Sequence, residues 1–407
     1  MAGVLDGLKV VSMELMEAIP AASVWLADWG AEVIKVEPLT GDMFRGTGRV
    51  GGVLGAVKLP GGEVKWTFEC ENRNKKSLAV DLKTEPGRDI LYKLIPKADI
   101  FMSNYELGAI QRLKVDYATL SKLNPRLIYG ALSGYGSVGP DKGMGGYDRV
   151  SMWARGGHQH MLTAPGTSPP GQRHGVMDRT AAAHAVAGVL AALYHREKTG
   201  EGQEIEFSLY QSAVWTLALD IQAPLVGLQL PIDDRTKAGN PLWNFYRTKD
   251  KDDRWFMLGM LRSDPYWSDF CQVMGKPELE NDPRFNNMNT RRENCEELVR
   301  ILDEVFASKT IDEWDKCFKP YNLIYSKIQT PEEVTKDPQA LANDFFVDLN
   351  HPAGEMKVVA SPVKFFQNPA SVRTIAPEIG QHTEEILLEL GYSWEDIAGL
   401  KEQGVIL

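Results

Sequence analysis

A strand–helix–strand pattern near the start of the chain constrains the fold most. Leu8–Met13 is a short apolar run that predicts a buried strand. Ala21–Trp29 predicts a helix that ends at Gly30, and Glu32–Val36 predicts a second strand that Pro38 stops. Two parallel strands need a crossover of about this length. The pattern therefore predicts a βαβ unit.

The alternation of strands and helices continues along the chain. Ser77–Leu82, Asp99–Met102 and Arg126–Leu132 predict strands, and Pro86–Leu94 predicts a helix with proline in its first turn. Such alternation indicates an α/β fold with an open, parallel, Rossmann-like sheet. The first strand–helix turn lacks a GxGxxG pattern, which argues against a dinucleotide cofactor.

Two glycine-rich stretches are candidate ligand-binding loops. Gly41–Lys65 has no periodicity and predicts a long loop, and long loops in compact domains tend to be functional. Ser133–Asp148 follows a predicted strand, and open α/β sheets bind ligands at the carboxyl ends of their strands. This second loop lacks the Lys-Ser/Thr ending of a P-loop, so we expect no phosphate cradle of that type.

Asp178 precedes an alanine-rich, apolar helix predicted over Ala181–Tyr194. An aspartate in that place is typical of an N-cap. The positive end of the helix dipole also favours the ionised carboxylate, which could attack an activated acyl group. From the residues alone, both the structural cap and the nucleophile remain open.

Composition excludes several classes of function. The chain has 407 residues, a net charge of −10 and no long run of lysine or arginine, so we expect no nucleic-acid partner. Its four cysteines form no CxxC pair, and no secretory signal pattern is present, which predicts reduced thiols and a cytoplasmic location. The sequence contains no run of about 18 apolar residues, so we expect no membrane span. His158 and His160 lack a suitably spaced third ligand, so no metal site is predicted.

The composition changes after Val214. Residues 226–329 hold many aromatic residues and acidic helices, and predict a smaller α+β domain. Residues 330–407 predict another α+β stretch that ends in two helices, the first of which stops at Gly391.

Several motifs together carry a resemblance to a known family. The segments LDGLKVV, GAEVIKVEP, NRNKKSLAVDLKTEPGRDIL, LNPRLIYGALSGYG and LYHREKTGEGQEIEFSLYQSAV resemble those of class III CoA-transferases, and the likeness covers nearly the whole chain. It implies an interlocked homodimer. It also implies a large domain built from residues 1–225 and 330–407, with the small domain, 226–329, between them.

The resemblance also implies a reaction. The family's catalytic aspartate corresponds to Asp178, which would attack an acyl-CoA thioester to form a mixed anhydride and then an aspartyl-CoA thioester. The implied partners are an acyl-CoA and a free carboxylic acid, with no cofactor beyond CoA itself. By position, the implied CoA-contacting residues are Met16, Glu17, Ala18, Val80, Lys83, Asn104, Tyr105 and Arg112.

The chain departs from the family pattern at several places, two of which concern the predicted CoA site. Pro38 stands where some members carry an arginine against the adenine, and Arg45 is a candidate substitute. Glu17 stands where formyl-CoA transferase has a glutamine, and a second carboxylate there would raise the pKa of Asp178 if the two were close.

Other interpretations remain open. The α-methylacyl-CoA racemases resemble this chain but use a histidine where it has Tyr147, and two-base proton transfer then lacks one partner. A CoA-binding subunit of a heteromeric transferase is the second alternative. Arg173 and His174, with aromatic residues such as Trp243, suggest a bulky aromatic or dicarboxylic acceptor, for example an aryl-succinate with succinyl-CoA as donor.

Overall fold

The structure is a computed structural model that describes residues 3–46, 48–50, 52–173, 175–231, 234–237 and 239–407. The chain divides into two compact units. The first contains Met1–His160, Pro170–Leu228 and Leu341–Leu407, and the second contains Met161–Pro169 and Gln229–Ala340.

The first part of the chain alternates strands with helices up to residue 225. In order, the elements are β1 (Lys9–Met13), α1 (Ala18–Asp28), β2 (Glu32–Glu37), β3 (Arg49–Val50), β4 (Val53–Leu54), β5 (Val57–Leu59), β6 (Gly62–Val64), α2 (Trp66–Asn72), β7 (Lys75–Ala79), α3 (Glu85–Leu94), β8 (Ile100–Ser103), α4 (Leu107–Arg112), α5 (Tyr117–Leu123), β9 (Ile128–Ser133), α6 (His158–Met161), α7 (Val176–Thr199), β10 (Gln203–Ser208), α8 (Leu209–Thr216) and α9 (Ala218–Leu225).

Six of these strands form one parallel sheet in the order β10-β9-β8-β1-β2-β7. From β1 the chain adds β2 and β7 on one side of the sheet, and it then crosses over and adds β8, β9 and β10 on the other side. The strand order therefore reverses between β1 and β8, where open α/β sheets bind ligands. The α/β fold with an open parallel sheet is confirmed.

Alternate residues of each strand enter two separate cores. Val10 and Val33 face the core formed with α1 and α7, whereas Val11 and Ile34 face the core formed with α3 and the C-terminal helices. Both faces of the sheet are thus covered, which explains why its inner strands are almost uniformly apolar.

Helix α7 is the longest helix and packs along α1 in the first core. A β-carbon at Gly188 would lie 2.7 Å from Cε1 of Phe207, so glycine allows the helix to approach β10 closely. By length and composition alone this helix, Val176–Thr199, could cross a membrane. Core helices pass the same test, and the buried face of α7 lies in the core.

The second unit contains a three-stranded antiparallel sheet and short helices around an aromatic core. Its elements are β11 (Phe245–Arg247), β12 (Trp255–Leu258), α10 (Trp267–Val273), α11 (Met288–Glu293), α12 (Cys295–Phe306), α13 (Ile311–Phe318), β13 (Tyr325–Lys327), α14 (Pro331–Val334) and α15 (Pro338–Ala342), the last of which reaches two residues into the first unit.

The C-terminal segment belongs to the first unit. It contains β14 (Phe346–His351), β15 (Gly354–Val359), α16 (Thr383–Glu389) and α17 (Trp394–Glu402). A single bridge between Val80 and Ile406 ties the end of the chain to the edge of the parallel sheet, and the side chains of α16 and α17 complete the second core.

The stretch predicted as one long loop, Gly41–Lys65, is more structured than expected. It contains two short hairpins, β3–β4 and β5–β6. The strands have only two or three residues each and mostly exposed side chains, so they leave no hydrophobic periodicity in the sequence.

Candidate functional site

A cavity of about 570 Å³ lies in the first unit at the carboxyl ends of β1, β8 and β9. This is the place where the strand order reverses. The lining comprises residues 15–18 after β1, 104–109 and Arg112 after β8, 132–134 and 142–147 after β9, together with Met43, Asp178 and Leu209.

The loops after β1 and β8 are joined by one side chain. Asn104 accepts a hydrogen bond of 2.9 Å from the Leu15 N–H and donates one of 2.7 Å to the Leu15 carbonyl. The next residue, Met16, has φ of 63°, a left-handed conformation that is unfavourable for a residue with a β-carbon. Its N–H donates to Oδ1 of Asp42 at 3.2 Å, which helps to hold this backbone in place.

A buried ionic network lies beneath this loop. Nζ of Lys35 is 2.8 Å from Oδ2 of Asp42, and Nζ of Lys75 is 2.6 Å from Oε1 of Glu14. Burial lowers the pKa of Lys75 to about 8. Burial alone would raise the pKa of Glu14, but the charges of Lys75 and Lys35 outweigh it and keep that pKa below its ordinary value. Each charge is compensated, so the network orients the ends of β1 and β2 without leaving a lone buried ion.

Asp178 is the third residue of α7 and not its N-cap, so the predicted capping role is wrong. The cap position is Gly175, which has φ of 78° and no side chain to accept a hydrogen bond. The helix begins earlier than its alanine-rich part suggests, because the Val176–Met177 turn is also helical. Asp178 still lies in the first turn, where the helix dipole favours negative charge.

Glu17 and Asp178 meet across the start of α7. A β-carbon at Gly175 would lie 1.9 Å from Oε2 of Glu17, so only glycine permits this approach. The carboxyl groups of Glu17 and Asp178 are in hydrogen-bonding contact. Burial, followed by the charges of Asp148 and Glu17, raises the pKa of Asp178 to about 8. Burial, followed by the charge of Glu71, raises the pKa of Glu17 to about 7.

Three further charged residues surround this pair. Asp148 begins a π-helical turn over Asp148–Ala154 and accepts a hydrogen bond of 3.3 Å from the Met177 N–H. Glu71, on α2, is buried and pairs with the half-exposed guanidinium of Arg179. Arg179 lowers the pKa of both Glu17 and Asp178, but burial and the other carboxylates outweigh it.

Positive charge and backbone donors line other parts of the cavity. Arg112 and Lys142 have exposed side chains, and neither forms an ion pair with another residue in the described part of the chain. The backbone of residues 142–146 adds a glycine-rich wall. Tyr147 follows it and is 65% exposed.

The structure brings most of the predicted site residues together. Met16, Glu17, Ala18, Asn104, Tyr105, Arg112 and Asp178 all line the cavity. Val80 and Lys83 do not. Val80 is buried in the second core, and the backbone N–H of Lys83 donates to Oδ1 of Asp81 at 3.0 Å in a turn.

Other candidate residues lie in different surroundings. Arg45 donates to Glu37 at 2.7 Å and to the Pro377 carbonyl at 2.8 Å, and it stacks 4.1 Å from the Phe68 ring centroid, so its guanidinium is already engaged. His158 is buried, with Nε2 2.8 Å from Oγ1 of Thr216. Arg173 is exposed, and His174 lies outside the described residues. Among the described residues, no group of three histidine, cysteine or acidic side chains could hold a metal ion.

Sequence reasoning did not single out Lys142, Glu71, Asp42 or Arg179 as site residues. Lys142 had a signal, because it lies in the glycine-rich loop that was predicted to bind a ligand. Asp42 likewise lies in Gly41–Lys65, the other stretch that was predicted to be a ligand-binding loop. Glu71 comes from a segment far from Asp178 in sequence, and no local pattern marks it.

Comparison with known proteins assigns the chain to a family. The model of CoA-transferase family III matches residues 5–383. The chain belongs to CoA-transferase family III. It is an enzyme, and the predicted family is confirmed. It is 35% identical to the (R)-2-hydroxy-4-methylpentanoate CoA-transferase of Clostridioides difficile over 99% of both chains. It is 34% identical to the cinnamoyl-CoA:phenyllactate CoA-transferase of Clostridium sporogenes, over 99% of this chain and 97% of that one.

A solved crystal structure has the same fold. The crystal structure of a CAIB/BAIF family protein from Brucella suis is 26% identical and superposes with a TM-score of 0.84, covering 96% of this chain and all of that one. CoA transfer is therefore the activity that this fold and family support.

Proposed function

We propose that this CoA-transferase moves CoA from an acyl-CoA donor to a bulky free carboxylic acid, with Asp178 as the nucleophile. The observation that carries the proposal is the position of Asp178 in the wall of a cavity at the reversal point of the sheet. Exchange of CoA between two acids needs a carboxylate nucleophile, because an acid anhydride conserves the energy of the thioester.

The reaction proceeds through two covalent states. An oxygen of Asp178 attacks the thioester carbonyl, the C–O bond forms, the C–S bond breaks and CoA leaves as the thiolate. The thiolate then attacks the aspartyl carbonyl of the anhydride and releases the donor acid, which leaves an aspartyl-CoA thioester. The acceptor carboxylate attacks that thioester, the C–S bond breaks, and a second anhydride forms as CoA leaves again as the thiolate. The thiolate finally attacks the acceptor acyl carbonyl, which gives the new acyl-CoA and frees Asp178.

Each attack places negative charge on a carbonyl oxygen, which hydrogen-bond donors stabilise. The glycine-rich backbone of residues 142–146 and the first turn of α7 can supply such N–H donors at the cavity. Arg112 and Lys142 supply cations for the phosphates of CoA. No step needs a further cofactor.

The first experiment tests the nucleophile. Wild type incubated with an acyl-CoA should carry a covalent adduct on Asp178, which peptide mass spectrometry detects after acid quenching. Asp178→Asn should retain CoA binding, carry no adduct and lose transfer by at least about a thousandfold, since the reaction path is removed. Asp252→Asn, an exposed aspartate outside the first unit, is the matched control. An adduct on another residue, such as Glu17, would refute the assignment.

The bulky acceptor is supported by the lining and by the relatives. Met43, Met144, Tyr147 and Leu209 give the cavity apolar surface. The two relatives are named for a branched hydroxy acid and for phenyllactate. We therefore propose an acid with a branched or aromatic side chain, and an aryl-succinate with succinyl-CoA as donor remains one member of that class.

A panel of donors and acceptors tests this class. Exchange should be followed by mass spectrometry with acetyl-, succinyl- and cinnamoyl-CoA against oxalate, glutarate, phenyllactate and benzylsuccinate. Preference for the aromatic acids would support the proposal, and exchange confined to oxalate would reject it. Exchange of the α-proton with deuterated water in the absence of CoA transfer would instead indicate a racemase. No histidine lines the cavity among the residues that the structure describes.

We also propose that the chain acts as an interlocked homodimer in the cytoplasm. Helix α9 supports the dimer, since it buries none of its side chains within the chain although most are apolar. Leu219 is 87% exposed and Trp215, on the preceding helix, is 70% exposed. Leu219→Glu should weaken self-association in analytical ultracentrifugation, whereas Val138→Glu, at a loop residue 82% exposed, should not. A sedimentation profile unchanged by Leu219→Glu would remove this face from the interface.

A further inference from the structure

We infer that Glu17 is a positioning residue that shares a single proton with Asp178, so that the nucleophile is one half of a carboxyl pair. The inference rests on the proposed function and deepens it. Glu17 was predicted to contact CoA, and its inferred role is instead to control the protonation and orientation of Asp178.

The geometry supports the pair directly. Glu17 stands at the start of α1 and lines the same cavity as Asp178. Its carboxyl group lies against the backbone of Gly175, at the N-terminal end of α7, and contacts the carboxyl group of Asp178. Two carboxyl groups make a hydrogen bond only when one of them carries a proton, because an ionised carboxylate has no donor.

The charges around the pair disfavour full ionisation. Glu71 faces it from α2, Asp148 faces it from the π-helical turn, and Arg179 is the cation next to Asp178 on α7. Arg179 is already paired with Glu71. Arg179 therefore does not offset burial and the charges of Glu71 and Asp148, and the pKa values of Glu17 and Asp178 both rise, to about 7 and about 8. Such a pair loses its two protons in coupled steps.

The shared proton has a place in the reaction. Asp178 has the higher pKa of the two, so in the resting pair the proton lies mainly on Asp178. Its transfer to Glu17 gives the reactive state, in which Asp178 is ionised and the Glu17 O–H fixes one Asp178 oxygen while the other attacks. When Asp178 is acylated its charge is lost, and the proton stays on Glu17. The same O–H then donates to the carbonyl oxygen of the acylated Asp178 and makes that carbon a better target for the thiolate. Apart from this O–H bond, no bond to Glu17 forms or breaks.

The first test needs no turnover. Infrared difference titration of the free enzyme should show carboxylic C=O bands that disappear between about pH 7 and 8 in wild type. In Glu17→Gln the Asp178 band should disappear at lower pH, since the neutral amide no longer repels the Asp178 charge. Asp178→Asn should remove that band. An Asp178 band with the same pH dependence in wild type and Glu17→Gln would overturn the inference.

The second test follows the rate of transfer with pH. The transfer rate of wild type should fall both below and above the pH range in which one group of the pair is ionised. Glu17→Gln keeps a hydrogen-bond donor, so it should remain active, with its acid limb moved to lower pH and its alkaline limb absent. Glu17→Leu, which has no donor, should be slow at every pH, by about 10² to 10³-fold.

The controls separate two kinds of failure. Glu402→Gln, at an exposed residue of the C-terminal segment, should follow the wild-type profile. A Glu17→Gln profile that is lowered equally at all pH values would indicate a merely structural role and reject the inference. If wild type transfers no CoA while the infrared shift is present, the proposed function fails and the carboxyl pair stands.

Discussion

The amide of Asn104 and the backbone of Leu15 hold together the two loops between which the sheet reverses its order. The Asn104 amide accepts a hydrogen bond of 2.9 Å from the Leu15 N–H and donates one of 2.7 Å to the Leu15 carbonyl. One side chain therefore sets the spacing of the loop that carries Glu17 and the loop that carries Tyr105. We predict that Asn104→Ala lowers the free energy of unfolding by about 1–3 kcal/mol, because both Leu15 groups lose their partner.

The same variant should raise KM for acyl-CoA more than it lowers kcat, since the cavity walls shift while Asp178 stays on α7. Denaturant unfolding and steady-state kinetics measure the two effects. Asn350→Ala, at an exposed residue of β14, is the control. Wild-type stability and KM in Asn104→Ala would show that the loops are held by other contacts.

Gly175→Ala should lower the transferase rate more than a left-handed backbone alone explains. An alanine at φ of 78° costs ~1–2 kcal/mol, and its β-carbon would also collide with Oε2 of Glu17. Gly391→Ala has a similar φ of 87° with no atom within 4 Å, so it reports the backbone cost alone. We expect both variants to be destabilised and only Gly175→Ala to lose most of its transferase rate. Equal loss of rate in both would mean that the approach of Glu17 is unimportant.

The stability of the enzyme should fall as the pH rises through the range in which Asp178 titrates. The pKa of Asp178 is about 8 in the folded chain, above the ordinary value of about 3.9. The folded state therefore binds more protons than the unfolded state between these values, and its stabilisation, complete below about pH 4, declines up to about pH 8. Asp178→Asn cannot ionise. Between pH 6 and 8.5 its free energy of unfolding should therefore fall by at least about 1 kcal/mol less than that of wild type.

Denaturant titrations at several pH values measure this difference. Asp252→Asn changes an exposed aspartate and should parallel wild type. A curve for Asp178→Asn as steep as that of wild type would contradict the raised pKa.

Lys142→Ala should weaken binding of CoA through its phosphates. The exposed ammonium lines the cavity without an ion-pair partner in the described part of the chain, so it is free to meet an anion. We expect KM for acyl-CoA to rise about tenfold, the loss of one charge-assisted contact of roughly 1.5 kcal/mol. The acyl-pantetheine substrate, which has no phosphate, should show no such change. Lys401→Ala, on α17 outside the cavity, is the control. An equal effect on both substrates would place Lys142 near the thioester instead.

Local patterns predicted much of the first unit. The strands β1, β2, β8 and β9 lie within two residues of their predicted bounds, because parallel strands buried on both faces are short apolar runs that turn residues interrupt. The short hairpins between β2 and α2 escaped prediction, since two- and three-residue strands bury too little surface to leave a pattern.

The sequence by itself determined the α/β class and the family, and it singled out Asp178 as the candidate nucleophile. It did so because apolar periodicity and contiguous motifs are properties of neighbouring residues. Only the tertiary structure decided that Glu17, Glu71 and Asp148 surround Asp178, that Val80 and Lys83 lie outside the cavity, and that Gly175 is the N-cap of α7. A pKa depends on burial and on charges that distant segments bring together, and these meet only where the strands end.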